Sequence, residues 1–211
     1  MKILFLDTSS FFVTISIIDN NNIVFNYQEE IRDDMSSKIM PIISGAFNKI
    51  NFGIKDINKI IVVNGPGSFT GVRIGVTVAK IISWALNIDL IPLSSLELLA
   101  TSSTSSTDKE IIPLINARRG NVFAGGYDSN LNIILPNGLY NLDKLIKEHV
   151  NATYISYDLF EDKNINLIKP NLDIIKIIKK HENDKPVNPH ALVPNYLKKT
   201  EAEENLNDKG I

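Results

Sequence analysis

Cysteine is absent from the 211-residue chain. That excludes disulfides, thiolate catalysis and Cys-ligated zinc or iron–sulfur centres. Histidine is scarce: His149, His181 and His190 stand far apart, and no two are spaced to grip a metal from one helix face. A surplus of positive charge is missing too. Lys plus Arg number 22 against 24 Asp plus Glu, a net charge of −2, which argues against nucleic-acid binding through overall charge. No Gly-Lys-Ser/Thr phosphate loop and no Gly-x-Ser-x-Gly nucleophile elbow occurs. Long apolar runs are lacking, so no segment reads as a bilayer span. The first run, residues 3–6, stops at Asp7 and is too short for a signal sequence. These absences predict a cytoplasmic globule without membrane attachment. What is present, 44% hydrophobic residues, suits a folded chain of one large domain or two small ones.

Residues 3–6, 11–18 and 23–27 are rich in β-branched and aromatic residues and are separated by polar turns, which predicts a three-stranded meander. The period then changes. Ile39, Ile42, Ile43, Ala46 and Ile50 follow helical spacing, with Met40 and Phe47 widening the stripe to two sides. Pro41 predicts a helix that starts near Met40 or bends there. A strand at 60–64, a glycine-rich loop, a helix at 72–86, a strand near 91 and a helix at 94–100 complete the first half. The Thr/Ser-rich stretch 101–107 reads as a solvated loop. The second half offers strands at 111–115, 122–127, 131–135 and 153–159, with helices at 142–149 and 172–181. Three prolines make 185–194 an extended connector, and residues 200–211 read as a polar tail. The repeated order predicts a duplicated α/β architecture with a first lobe at 1–98, a smaller second lobe at 99–194 and a C-terminal tail at 195–211.

Two segments could carry chemistry. Asp7-Thr8-Ser9-Ser10 ends the first strand, where backbone N–H groups could cradle phosphates and Asp7 could hold hydrated magnesium; an Asx turn explains the same residues more simply. Gly65-Pro66-Gly67-Ser68-Phe69-Thr70-Gly71 joins a strand to a helix. Its glycines could turn N–H groups toward an anion at the helix start, or serve positive φ and close packing. Asp7, Thr8, Ser9, Gly65, Gly67 and Ser68 are therefore weak phosphate-loop candidates. Arg73 is notable because the chain has only four arginines, the others being Arg32, Arg118 and Arg119. Arg118-Arg119 with Lys198-Lys199 could touch phosphate, though small basic pairs are usually solvated surface. Gly125-Gly126 reads as a strand bulge rather than an adenine site.

Residues 3–9, Met35-Ser36 with Ile39-Met40-Pro41, and above all residues 65–75, Gly-Pro-Gly-Ser-Phe-Thr-Gly-Val-Arg-Ile-Gly, resemble the TsaB (YeaZ) family. Ser94-Ser95-Leu96-Glu97, Ala117-Arg118-Arg119 and Pro194-x-Tyr196-Leu197 fit in order. The resemblance implies an actin-like, Hsp70-type ATPase-domain fold (ribonuclease H-like), with mixed sheets and flanking helices. It also implies a non-catalytic subunit for tRNA threonylcarbamoyladenosine formation. Its partners would be a paralogous TsaD-type transferase and a TsaE-type P-loop ATPase, with tRNA met through the complex and a homodimer available in isolation. No cofactor of its own is expected; ATP and a divalent metal would sit on the partner subunits. The catalytic paralogue carries two metal-binding histidines where this chain has Met35 and Ile39, which cannot hold a hard divalent ion. Asn116 stands where an acid is common. The 39–50 helix reads as apolar on a second side and the 72–86 helix carries small residues at Gly75 and Ala79; the resemblance implies that these two helices form a four-helix contact with the paralogue or with a second copy. It would use Met35, Ile39, Ile42, Ala46, Val72, Gly75, Val76 and Ala79 and bury ~1,200–2,000 Å². A small ATP-dependent phosphotransferase is the alternative from another functional class.

Overall fold

Along the first strand, β1 (Lys2–Asp7), successive side chains enter different cores: Leu4 and Leu6 one, Ile3 and Phe5 another. That is the period-2 alternation of a strand covered on both faces. The computed structural model describes residues 1–102, 110–160, 163 and 165–197. β2 (Phe12–Asp19) and β3 (Asn22–Glu30) run antiparallel after β1 and complete the meander. Asn20 and Asn21 (φ 47° and 66°) supply the two left-handed residues of a tight hairpin. Then follow α1 (Met35–Phe47), β4 (Lys59–Gly65), α2 (Phe69–Leu86), β5 (Asp89–Ser94) and α3 (Ser95–Ala100). The first sheet has the order β3-β2-β1-β4-β5, with β4 parallel to β1 and to β5.

The second sheet repeats that plan. β6 (Ile111–Asn116), β7 (Asn121–Tyr127) and β8 (Ile133–Asn141) form an antiparallel meander. α4 (Leu142–Glu148), β9 (Thr153–Ile155), β10 (Leu167–Ile168) and α5 (Ile174–His181) complete it. Read from the meander inward, its order β8-β7-β6-β9-β10 matches the first sheet strand for strand. The molecule is therefore layered: α1 and α2, first sheet, α3 with α5, second sheet, α4. Apolar clusters fill each gap.

Several expectations need correction. α1 starts at Met35 and runs through Pro41, because Ser37 and Pro41 both lie on its exposed side, where water can take the Ser37 carbonyl's lost partner. α1 is not apolar on two sides, since Ser36, Ser37, Pro41 and Ser44 are exposed while Ile39, Ile43 and Ala46 are buried. Six of the eight expected contact residues belong to the chain's own core: Ile39, Ala46, Val72, Gly75, Val76 and Ala79 are buried. Only Met35 and Ile42 are half-exposed. The solvent-facing sides of both helices lie opposite these buried residues. Thr101 and Ser102 are buried rather than solvated, with Thr101 Oγ1 accepting from the Asp173 N–H at 3.0 Å. Residues 103–107 lie outside the described residues, as do Lys198-Lys199 and 200–211. The connector does not stay with the second lobe. Val187 N–H donates to Leu90 O (2.9 Å) and Asn195 N–H to Asn64 O (2.7 Å), so residues 187–195 return to the first sheet.

Candidate functional site

The two motif segments meet. Ser68 N–H donates to Ser9 O (2.7 Å) and Thr8 Oγ1 donates to Gly71 O (2.7 Å), locking the start of α2 onto the turn after β1. A β-carbon on Gly67 would overlap Ser9 O, and one on Gly71 would overlap Thr8 O. Neither glycine has a positive φ; Gly65 does, at +112°, and a β-carbon there would come within 2.8 Å of Asn195 O. Close backbone approach, not a left-handed conformation, thus requires glycine at 71. The lock engages the Ser68 N–H, and two more N–H groups of these segments are turned inward. Ser9 N–H goes to Asp7 Oδ1 (2.8 Å) and Gly71 N–H to Ser68 Oγ (3.2 Å). Asp7 is buried beneath the turn, and burial pushes its carboxyl up to about 6 against the opposing hydrogen bond from Ser9.

Above this junction a cleft of about 620 Å³ opens between the two sheets' loops. Ser9, Ser10 and Gly67-Ser68 line one wall, and Asn116, Arg118, Tyr157 and Asp158 the other. Phe11 also lines the cleft, and Phe12 stacks on Tyr157 with ring centres 4.7 Å apart. The β6–β7 turn holds Arg118, Arg119 and Gly120 all at positive φ (65°, 52° and 73°), stabilised by Arg118 N–H to Asn116 Oδ1 (2.8 Å) and Asn116 N–H to Asp158 Oδ2 (2.8 Å). Gly125 and Gly126 sit in β7 at a shift in register, as a bulge.

The second site is the outer face of α2. Its inner face (Val72, Gly75, Val76, Ala79, Ile82) packs on the first sheet. The opposite face is apolar as well. Phe69, Ile81 and Trp84 are 48%, 58% and 66% exposed, with Ile74 and Val78 half-buried between them. This double stripe gives α2 the length and hydropathy of a membrane span, although the inner face is packed in the fold. A groove of about 370 Å³ runs between Phe69, Arg73, Ile74, Thr77 and Val78. Arg73 lies with its guanidinium 3.7 Å over the Phe69 ring, and its Nε donates to Tyr196 Oη at 2.7 Å. The spacing 74, 78, 81, 85 is apolar in the sequence as well, beside the buried spacing 72, 76, 79.

Two matched sheets with helices between and outside them, and a cleft where their loops face each other, define the actin-like, ribonuclease H-like class of ATPase-type folds. A family model described as tRNA N6-adenosine threonylcarbamoyltransferase (TsaD) matches residues 22–185, and the chain belongs to that family, in its TsaB (YeaZ) group. A Bacillus subtilis relative, "tRNA threonylcarbamoyladenosine biosynthesis protein TsaB", is 39% identical over 127 residues, covering 60% of this chain and 55% of that protein. The Escherichia coli protein of the same description is 26% identical over 133 residues, covering 63% and 57%. The match thus spans little more than half the length of these relatives. YeaZ from Pseudomonas aeruginosa superposes with a TM-score of 0.73 at 16% identity, over 93% of this chain and 99% of that one. That likeness bears on the fold alone.

Proposed function

We propose that this chain is a non-catalytic scaffold subunit in tRNA threonylcarbamoyladenosine formation. In this reading it acts in the cytoplasm beside a TsaD-type transferase and a TsaE-type P-loop ATPase. The transferase moves threonylcarbamoyl from threonylcarbamoyl-AMP to N6 of the adenosine 3′ of the anticodon, in tRNAs that read codons beginning with A. ATP and the divalent metal are held by the partner subunits, and this chain brings no cofactor of its own. The single observation that carries the scaffold role is α2, whose outer stripe keeps Phe69, Ile81 and Trp84 exposed and Ile74 and Val78 half-exposed among the described residues, with only Arg73 and Tyr196 against Phe69 and His190 against Trp84. A helix in a layered fold needs one apolar face for its own sheet; a second one supports a partner. The descriptions of the relatives support the pathway. At the cleft, Asp7 is occupied by the Ser9 N–H and buried below the lining, which supports a structural use of that acid.

The test is reconstitution. The chain is mixed with the TsaD-type and TsaE-type proteins of its own genome, tRNA, ATP and threonylcarbamoyl-AMP, and modified adenosine is measured. Modification is expected with the full mixture and is expected to fall to background without this chain. Ile81→Glu, at a solvent-facing position, is expected to leave the fold intact and abolish both binding of the TsaD-type subunit and modification. ATP turnover by the pure chain, lost in Asp7→Ala, would favour the phosphotransferase reading instead.

A further inference from the structure

The charges on α2, and on α1 packed beside it, all have one sign. α1 and α2 together carry Lys38, Arg73 and Lys80 and not one Asp or Glu. None of these three has a carboxylate within ion-pair distance among the described residues. Lys38 Nζ donates to Asp33 O (3.0 Å) and Lys80 Nζ to Leu192 O (2.7 Å), both backbone carbonyls. Arg73 differs from the lysines in being held rigid. The Phe69 ring supports the guanidinium plane, Tyr196 takes its Nε–H, and Phe69 and Tyr196 stack with centres 5.6 Å apart. Tyr196 is in turn fixed through its neighbour, since Asn195 N–H bonds to Asn64 O at the end of β4. An arginine immobilised by stacking and one hydrogen bond has already lost most of its rotamer freedom. Its two terminal nitrogens keep the fork geometry that receives a carboxylate bidentately. Arg73 lies at the groove beside Ile74 and Val78.

We propose that Arg73 is the specificity-determining residue of the α2 face. It is a preformed carboxylate receptor whose ligand is an Asp or Glu on an apolar helix of a partner of different sequence. Tyr196 is its positioning residue. The inference rests on the reading of α2 as the partner face and goes beyond it. A second copy of this chain, docking α2 against α2, would offer Arg73 no acid from that helix and would bring four cationic side chains toward one contact. Like charges across an interface suppress that pairing. The face is thus built to accept the TsaD-type subunit in preference to itself.

The experiment measures affinity of the full chain for the TsaD-type subunit of its genome by calorimetry at two salt concentrations. Arg73→Gln and Arg73→Lys are each expected to weaken binding tenfold or more, and Gln to reduce the salt dependence as well. Tyr196→Phe keeps the ring and is expected to give a smaller loss, three- to tenfold, that is not additive with Arg73→Gln. Melting curves check that each variant folds. For the wild type, self-association is expected to be at least a hundredfold weaker than binding to the partner. If Ile81→Glu binds normally, the partner face itself is misplaced. If Ile81→Glu abolishes binding while Arg73→Gln binds like wild type, the face stands and the carboxylate receptor is overturned. A chain ending at Leu197 provides the last control, because the acids Glu201, Glu203 and Glu204 follow Tyr196 closely in sequence. Should the Arg73→Gln effect vanish in that shorter chain, the carboxylate came from the chain's own tail and the proposal fails.

Discussion

The lock between the Asp7 turn and α2 depends on atoms that a single methyl group would displace. Gly71→Ala places a β-carbon on Thr8 O, a backbone atom that cannot swing aside, and is expected to destabilise the fold by ~1–3 kcal/mol. Gly75→Ala meets the Thr8 hydroxyl instead, which can rotate at the loss of its bond to Gly71 O. Its cost should be smaller, and urea titration of the two variants checks the order. Asp7 makes a prediction with a definite sign. Its folded pKa, about 6, lies above the ordinary 3.8, so the folded state holds this proton more tightly than the unfolded one. Stability from this group is highest below about pH 4, falls as pH rises toward 6, and is then lower by ~3 kcal/mol. Asp7→Asn keeps an acceptor for the Ser9 N–H and removes the charge. It is expected to be more stable than wild type at pH 7.5 and to lack the decline between pH 4 and 6.

At the scale of elements, α1 and α2 show how far sequence patterns reach. Five of the six meander strands, the run from β4 through α2 and the position of α4 were legible, because alternation and helical period are strong there; β8 was legible only at its start, since the expected span 131–135 stops before Pro136 while the strand runs over Ile133–Asn141. Meeting of the Asp7 turn with the Gly67 loop was not, since nothing local in either segment encodes a partner 60 residues away. The phase of α2 was ambiguous for a different reason: Val72, Val76 and Ala79 make a helical stripe, and so do Ile74, Val78 and Ile81. Apolar residues on both sides leave the moment nearly silent about which side meets the sheet. Pro41 misled because a missing N–H is costly only where its carbonyl partner is shut away from water. Gly45 in α1 has open space around its α-carbon. Gly45→Ala is expected to stabilise the protein by ~0.5–1 kcal/mol, read as a shift in urea midpoint, because only backbone freedom changes.

Across the whole molecule, the lobes are joined at α3 and α5. Glu97 on α3 pairs with Lys180 Nζ (2.6 Å) and His181 Nε2 (3.2 Å) on α5, and Asp184 takes His181 Nδ1 at 2.7 Å. The bond to Glu97, opposed by burial and helped by Asp184, raises the His181 pKa. Burial raises Glu97, but bonds from His181 and Lys180 outweigh it and hold the carboxyl below its ordinary range. His181 therefore contributes in full below about pH 6.5 and loses that contribution as pH rises through its raised folded value. Glu97 contributes above about 4.5 and loses it as pH falls through its depressed value. His181→Asn is expected to flatten the decline on the alkaline side, measured by thermal melting across pH 5–9. The other long-range tie is the returning connector, which lays Val187 against the edge strand β5. A chain ending at residue 184 is expected to melt lower and to self-associate through that uncovered edge, seen by light scattering. The same tie bears on how the protein is made. Strand β5 is complete at Ser94, yet Val187 is synthesised 93 residues later. At ~5–20 residues per second the nascent first sheet waits roughly 5–20 s with that edge bare. Slowing translation between codons 95 and 187 should therefore increase aggregation of newly made chains while leaving the stability of the finished protein unchanged.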